Sequence, residues 1–205
     1  MKDHFVITIG RQFGSGGREI GEKLAQKLNV KCYDKELLAI AAKDSGLCEQ
    51  MFEMHDEKPT NSFLYSIVMD TYAGIYNPHN MMEMPINQKV FLAQFETIKK
   101  IADRESCIIV GRCADYALEE MPGMTSIFIH ADMESRIKRI AGKYDVKESK
   151  AKDMIIKTDK RRASYYNYYT NREWGSASSY DFTINSAKAG IDKTVEIIEN
   201  YLNII

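Results

Sequence analysis

The pattern opens with Phe5-Val6-Ile7-Thr8-Ile9, a short apolar, β-branched run that stops at Gly10 and predicts a buried parallel strand. A glycine-rich loop follows through Gly17. From Arg18 the apolar positions recur at Ile20, Leu24 and Leu28, with Gly21 and Ala25 as small packing positions, which predicts an amphipathic helix. Strand, glycine loop and helix form the first unit. A second strand is expected at residues 30–33 and ends at Asp34, whose carboxylate can cap a helix over residues 35–45 and face a ligand. The stretch 48–88, with Pro59, Pro78, Pro85 and scattered Met and Tyr, has no clean period and reads as a mobile insertion with a helix over 62–72.

The pattern then becomes legible again. A helix is predicted over 86–104, followed by Cys107-Ile108-Ile109-Val110, a buried strand stopped by Gly111 and followed at once by Arg112. A fourth strand is expected at 126–129, two helices over 133–141 and 147–172, a fifth strand at 182–184, and a closing amphipathic helix over 191–202. Strands alternating with helices predict a parallel sheet covered on both faces.

Composition narrows the function classes. At 205 residues the chain fits one domain, since domains run to roughly 150 residues. Its 28 Lys and Arg against 29 Asp and Glu leave a net charge of −1, so no global basic field draws it to nucleic acid. Cys32, Cys48, Cys107 and Cys113 lie far apart with no CxxC or Cys/His cluster, which disfavours zinc. No signal-peptide core and no membrane-length apolar run occur, so a reducing, cytoplasmic setting with no membrane partner is expected.

The sharpest chemical feature is Gly10-Arg11-Gln12-Phe13-Gly14-Ser15-Gly16-Gly17-Arg18-Glu19, between strand and helix. Glycines let consecutive N–H groups turn inward on phosphate oxygens, and the helix start adds partial positive charge. This is not GxxxxGK[ST], because Gly17 stands where Lys is needed and Glu19 where Ser or Thr is needed. Arg11 or Arg18 could supply the missing charge. Nor is it GxGxxG, yet Asp34 lies twenty residues after Gly14, the spacing of a ribose-binding acid, which keeps a nicotinamide-binding oxidoreductase as an alternative.

Arg112 follows a buried strand and should project from the carboxyl edge of the sheet, where open α/β sheets bind ligands. Lys157, Asp159, Lys160, Arg161 and Arg162 crowd one helical stretch; the spacing sets Lys157 beside Arg161 and near Lys160, a like-charge cluster that polyphosphate would relieve. The tyrosines from Tyr165 to Tyr169 read as half-buried packing and Trp174 as a loop anchor. His130 has no nucleophile or metal partner in the pattern, and Cys113 is either a thiolate activated by its cationic neighbour or an inert buried thiol.

In order, ITIGRQFGSGGREIGEKLAQKL, CYDKELL, CIIVGRCADYAL, DKRRASYYNYYT and YDFTINS resemble the cytidylate kinase-like family, a divergent branch of the nucleoside monophosphate kinases, over nearly the whole chain. The resemblance implies a P-loop kinase-like, three-layer α/β/α fold with a five-stranded parallel sheet, a helical acceptor-binding insertion at 48–88 and a helical lid at 145–178. It matches Gly14, Ser15, Gly16, Gly17 and Arg18 to the phosphate loop, Asp34 and Arg112 to the acceptor site, and Lys160, Arg161 and Arg162 to the lid. Cytidylate kinases carry Lys at the position of Gly17, Thr at Glu19, and Asp at both Val110 and Cys113.

The leading expectation is therefore transfer of the γ-phosphate of ATP, with Mg2+, to a CMP-like nucleotide. Arg11, Gly14, Ser15, Gly16, Gly17, Arg18 and Glu19 would hold phosphate, and Arg18, Arg112, Lys160, Arg161 and Arg162 would act in the transfer. No direct metal ligand is assigned, although Glu19 or Asp34 could hold magnesium through water. A nucleotide sensor that keeps the cradle without efficient catalysis is the alternative within the same fold.

Overall fold

The computed structural model describes residues 4–58 and 84–205. The helix expected over 62–72 lies outside the described residues. Five strands, β1 (Val6–Arg11), β2 (Lys31–Tyr33), β3 (Cys107–Val110), β4 (Met124–His130) and β5 (Phe182–Asn185), form one sheet in the order β2-β3-β1-β4-β5. Every pairing is parallel, with Val6 opposite both Cys107 and Met124 in the centre.

The period-two alternation of β1 and β3 sorts their side chains between two cores. Ile7, Ile9, Ile108 and Val110 point to one face, where α1 (Gly17–Leu28) contributes Ile20 and Leu24 and the C-terminal helix α9 (Ile191–Ile204) contributes Val195, Ile198 and Leu202. Val6, Cys107 and Ile109 point to the other, against Leu37 of α2 (Glu36–Ser45), Ile98 and Ile101 of α4 (Ile86–Arg104) and Ala114 and Ala117 of α5 (Ala114–Ala117). Burying one such Leu or Ile contributes roughly 1.5–3 kcal/mol, so these two cores hold the three layers together.

The remaining helices assemble beyond the sheet. A short α3 (Glu49–His55) packs through Phe52 on α2 and α4. Helix α6 (Met133–Tyr144) starts at Asp132, whose side chain accepts from the Ser135 N–H at 2.8 Å, and pairs with α7 (Glu148–Thr170) through Ile140, Ala151 and Ile155. The other half of α7 supplies Tyr165, Tyr166 and Tyr169 to an aromatic cluster with Phe91, Phe128 and Tyr180; Phe91 and Tyr169 stack at 3.9 Å. A four-residue α8 (Ser186–Ala189) joins β5 to α9. Among the described residues no helix is long and apolar enough to cross a membrane.

Helices α1 and α5 follow the adjacent strands β1 and β3 but lie on opposite faces of the sheet. The chain therefore parts at the carboxyl ends of these two strands, the switch point that leaves a ligand crevice in open α/β sheets. Arg11 ends one strand there, and Gly111 and Arg112 follow the other.

Candidate functional site

The glycine-rich loop between β1 and α1 is braced from several sides. The Ser15 N–H and hydroxyl both donate to the Gln12 carbonyl, at 3.3 and 2.9 Å, and the Gln12 side chain accepts from the Ala131 N–H at 3.1 Å. Ser186 donates to the Ser15 carbonyl at 2.6 Å, and the Phe13 N–H donates to Asp159 Oδ1 at 2.7 Å. Gly14 and Gly16 sit at φ +85° and +80°, the left-handed region where a side chain is strained, which explains glycine at both.

Helix α1 begins at this loop with no side-chain cap. The N–H groups of Gly14, Gly16, Gly17, Arg18 and Glu19 have no hydrogen-bond partner among the described residues. Orphan amides at a helix start, with the helix dipole behind them, make an anion cradle.

A buried charge cluster adjoins the start of α1, where Arg18 lies 3.5 Å from Asp34 and Gly17 lies against the Arg11 side chain. The turn after β3 holds three consecutive left-handed residues, Gly111, Arg112 and Cys113, at φ +80°, +55° and +55°. Such a conformation costs of order 1–3 kcal/mol for a non-glycine residue and persists only where surrounding contacts enforce it. Here the enforcing contacts are ionic: Arg112 donates to Asp34 at 2.9 Å and, through Nε and Nη2, to both Asp56 oxygens at 3.1 Å. Arg11 donates to Glu57 Oε1 at 2.8 Å and lies 3.7 Å from Asp34, and Arg162 donates to Glu57 Oε2 at 2.9 Å. Arg11, Arg112, Asp34 and Glu57 are all less than 10% exposed.

Burial alone would raise the Asp34 and Glu57 carboxyls, but the surrounding arginines hold both below the ordinary carboxylate range. Burial and the neighbouring Arg162 depress Arg11 despite Glu57 and Asp34, whereas Arg112 is held up by Asp56 and Asp34 against its own desolvation. Asp34, Glu57 and Arg112 are thus each held in the charged form by their neighbours.

The sequence-derived site residues divide between this crevice and its margins. Arg11, Asp34, Arg112 and Arg162 meet in the charge cluster, with Gly17 against the Arg11 side chain, while Gly14, Ser15 and Gly16 lie in the glycine-rich loop beside it. Arg18 turns outward, half exposed, to Glu22 at 2.8 Å, with Asp34 at 3.5 Å. Glu19 pairs with Arg139 of α6 and lies 3.9 Å from Lys23. Lys160 and Arg161 are exposed on α7, as is Lys157. Cys113 is buried and desolvation pushes its thiol well up, so it is an inert thiol. Tyr165, Tyr166 and Tyr169 are packing residues, and Trp174 packs edge-on to Phe128 at 5.3 Å.

Asp56 and Glu57 escaped sequence reasoning because they stand in the stretch without period. Arg136 also escaped, yet it carried a signal: it lies four residues before Ile140 and three after Met133, an arginine on the inward face of α6, where it meets Asp159 and lies 3.4 Å from the Phe13 carbonyl.

The donor set does not fit a directly ligated magnesium ion. Among the described residues no group of three His, Cys, Asp or Glu could hold a metal, and Asp34, Asp56, Glu57 and Glu19 are each spent on arginine. The engagement of Asp34 by Arg112 likewise accounts for its position without a ribose, so the oxidoreductase alternative is not carried further.

Comparison with known proteins agrees with this geometry. A crystal structure of an uncharacterized protein from Eubacterium ventriosum is 32% identical, with a TM-score of 0.74 over 98% of this chain and 99% of that one. Shikimate kinase from Bacteroides thetaiotaomicron, 16% identical, has the same fold at a TM-score of 0.54 over 97% of this chain and 98% of its own. A cytidylate kinase of Sulfurisphaera tokodaii is 28% identical over 107 residues, which is 52% of this chain and 59% of that enzyme. The chain thus spans about three fifths of that relative's length. With the five-stranded parallel α/β fold shared with these structures and the cytidylate kinase-like profile matching residues 6–188, from β1 into α8, the chain belongs to the cytidylate kinase-like family.

Proposed function

We propose that this protein is a cytoplasmic nucleoside monophosphate kinase that moves the γ-phosphoryl group of magnesium-bound ATP onto a CMP-like acceptor. One observation carries the reading: Arg11, Arg112 and Arg162 converge in the crevice, neutralised by carboxylates, beside a loop with five unspent amides. Guanidinium forks and oriented N–H groups match phosphate oxygens, and phosphoryl transfer needs positioning and charge neutralisation above all else.

In this reading residues 48–88 form the acceptor-gripping insertion and 145–178 the lid. The loop amides, with Ser15 shaping the turn, hold the donor phosphates. Arg112, oriented by Asp34, holds the acceptor phosphate, while Arg162, with Lys160 and Arg161 on the same helix, meets the developing charge. Arg18 and Glu19 frame the cradle from the first turn of α1. An acceptor phosphate oxygen attacks the γ-phosphorus in line; the new P–O bond forms as the bond to the β,γ-bridging oxygen breaks, and ADP leaves with that electron pair. No general base is required, because the attacking phosphate is already anionic. Magnesium supplies charge neutralisation on the triphosphate, and no step is assigned to a protein-held metal.

Coupled ADP release measured across CMP, dCMP, UMP, AMP and GMP tests the reading. Turnover of roughly 1–100 per second with a pyrimidine acceptor is expected. Arg112→Ala should lower kcat/KM by about 100- to 1,000-fold, as loss of a charge-stabilising donor does elsewhere. ATP binding without turnover on any acceptor would instead establish the sensor reading, which Gly17 and the inert Cys113 favour.

A further inference from the structure

Gly17 occupies the position of the lysine in lysine-bearing phosphate loops, and its φ lies outside the left-handed region, so its backbone does not demand glycine. Space demands it. A Cβ at residue 17 would stand 2.5 Å from Arg11 Cβ and 3.1 Å from Arg11 Cγ. Farther along the same side chain, a Cβ at Gly111 would overlap the Arg11 guanidinium outright. Arg11 therefore threads a corridor walled by two residues without side chains, from the end of β1 beneath the loop to the crevice. A lysine at 17 and an arginine at 11 exclude one another.

The corridor also fixes where the charge ends. Arg11 is 8% exposed, with Nη1 on Glu57 and Nη2 3.7 Å from Asp34, the carboxylate that Arg112 shares. Arg18, another cation near the loop, is half exposed, bonded to Glu22 and 3.5 Å from Asp34. Arg11 joins the base of the cradle to the Arg112 cluster through a buried side chain.

Resting on the phosphoryl-transfer reading, we infer that Arg11 replaces the loop lysine: its guanidinium contacts the terminal donor phosphate, and Gly17 and Gly111 are glycine to admit it. A guanidinium presents a rigid fork of donors and keeps its proton under desolvation, whereas an ammonium in the same place is a point charge that burial can neutralise.

The test is a charge relocation. Isothermal titration with inorganic tripolyphosphate and ATP-dependent turnover with CMP are measured for wild type, Arg11→Gly, Gly17→Lys and the double variant Arg11→Gly/Gly17→Lys. Glycine is required at 11 because even the Cβ of alanine would meet a side chain at 17. Arg11→Gly should bind tripolyphosphate at least tenfold more weakly and lose at least a hundredfold in turnover. Gly17→Lys alone should also lose affinity, because it displaces Arg11, whereas the double variant should regain at least tenfold over Arg11→Gly. Such rescue cannot come from a merely structural arginine.

Unchanged tripolyphosphate affinity in Arg11→Gly, or a double variant no better than the single one, overturns the inference while leaving phosphoryl transfer standing. Absence of both tripolyphosphate binding and turnover in wild type overturns the two together. Should Arg11→Gly fail to fold, Arg11→Lys keeps a charge opposite Glu57 and should weaken tripolyphosphate binding at least fivefold; wild-type affinity there overturns the role of the fork.

Discussion

Asp115 sits in the first turn of α5 and is only 9% exposed, its Oδ2 accepting the Tyr166 hydroxyl at 2.6 Å. Burial raises its carboxyl above the ordinary value, and the Tyr166 hydroxyl recovers only part of the cost. A carboxyl raised by folding contributes stability that is complete below its unfolded value, near pH 4, and is lost as pH rises through the folded value. Asp115→Asn keeps an oxygen for Tyr166 and carries no charge. It should raise the unfolding free energy by about 1 kcal/mol at pH 8, and the gain should shrink as the pH is lowered toward 4. Urea unfolding at several pH values checks this; a variant less stable than wild type at pH 8 would mean that Asp115 is ion-paired in solution.

At the scale of elements, α7 ties two regions together. Its first half packs on α6, its second half on the aromatic cluster, and between them Asp159 accepts from the Phe13 amide and meets Arg136. Removing one partner of a buried ion pair leaves the other uncompensated, so Asp159→Ala should destabilise the protein by about 3 kcal/mol. Asp159→Asn, which still offers an oxygen to Phe13, should cost less. Equal unfolding midpoints for Asp159→Ala and wild type would mean that α7 does not rest on the loop in solution.

Elements were legible where period and punctuation agreed. The switch from the β-branched run before Gly10 to the helical spacing of Ile20 and Leu24 marked β1, the loop and α1, and Gly111 marked the end of β3. Other features left no such trace. Helix α5 has only four residues, less than two turns, so it has no period to read. Asp56 and Glu57 follow the short α3, and their role depends on arginines 46 or more positions away in the chain. β4 extends to Met124–His130, beyond its apolar centre, because Thr125 and Ser126 pair with β1 while Ser126 bonds Asp181. Long-range pairing of polar residues is what a single sequence conveals least.

For the whole molecule, the switch point is the organising feature: it brings the end of β1, the turn after β3 and the middle of α7 to one crevice. The ionic cluster there has a consequence for how ligands arrive. Three arginines facing Asp34, Asp56 and Glu57, in a chain of net charge −1, project little field beyond the Debye length of about 8–10 Å. Nucleotide capture should therefore lack long-range steering, and the association rate should fall less than about threefold between roughly 50 and 300 mM salt in stopped-flow measurements. A steep decline would show that the carboxylates stand apart from the arginines in solution. On the proposed reading resident anions give way before phosphate settles, so docking would be an ion exchange inside the protein, in which the free chain serves as its own counterion.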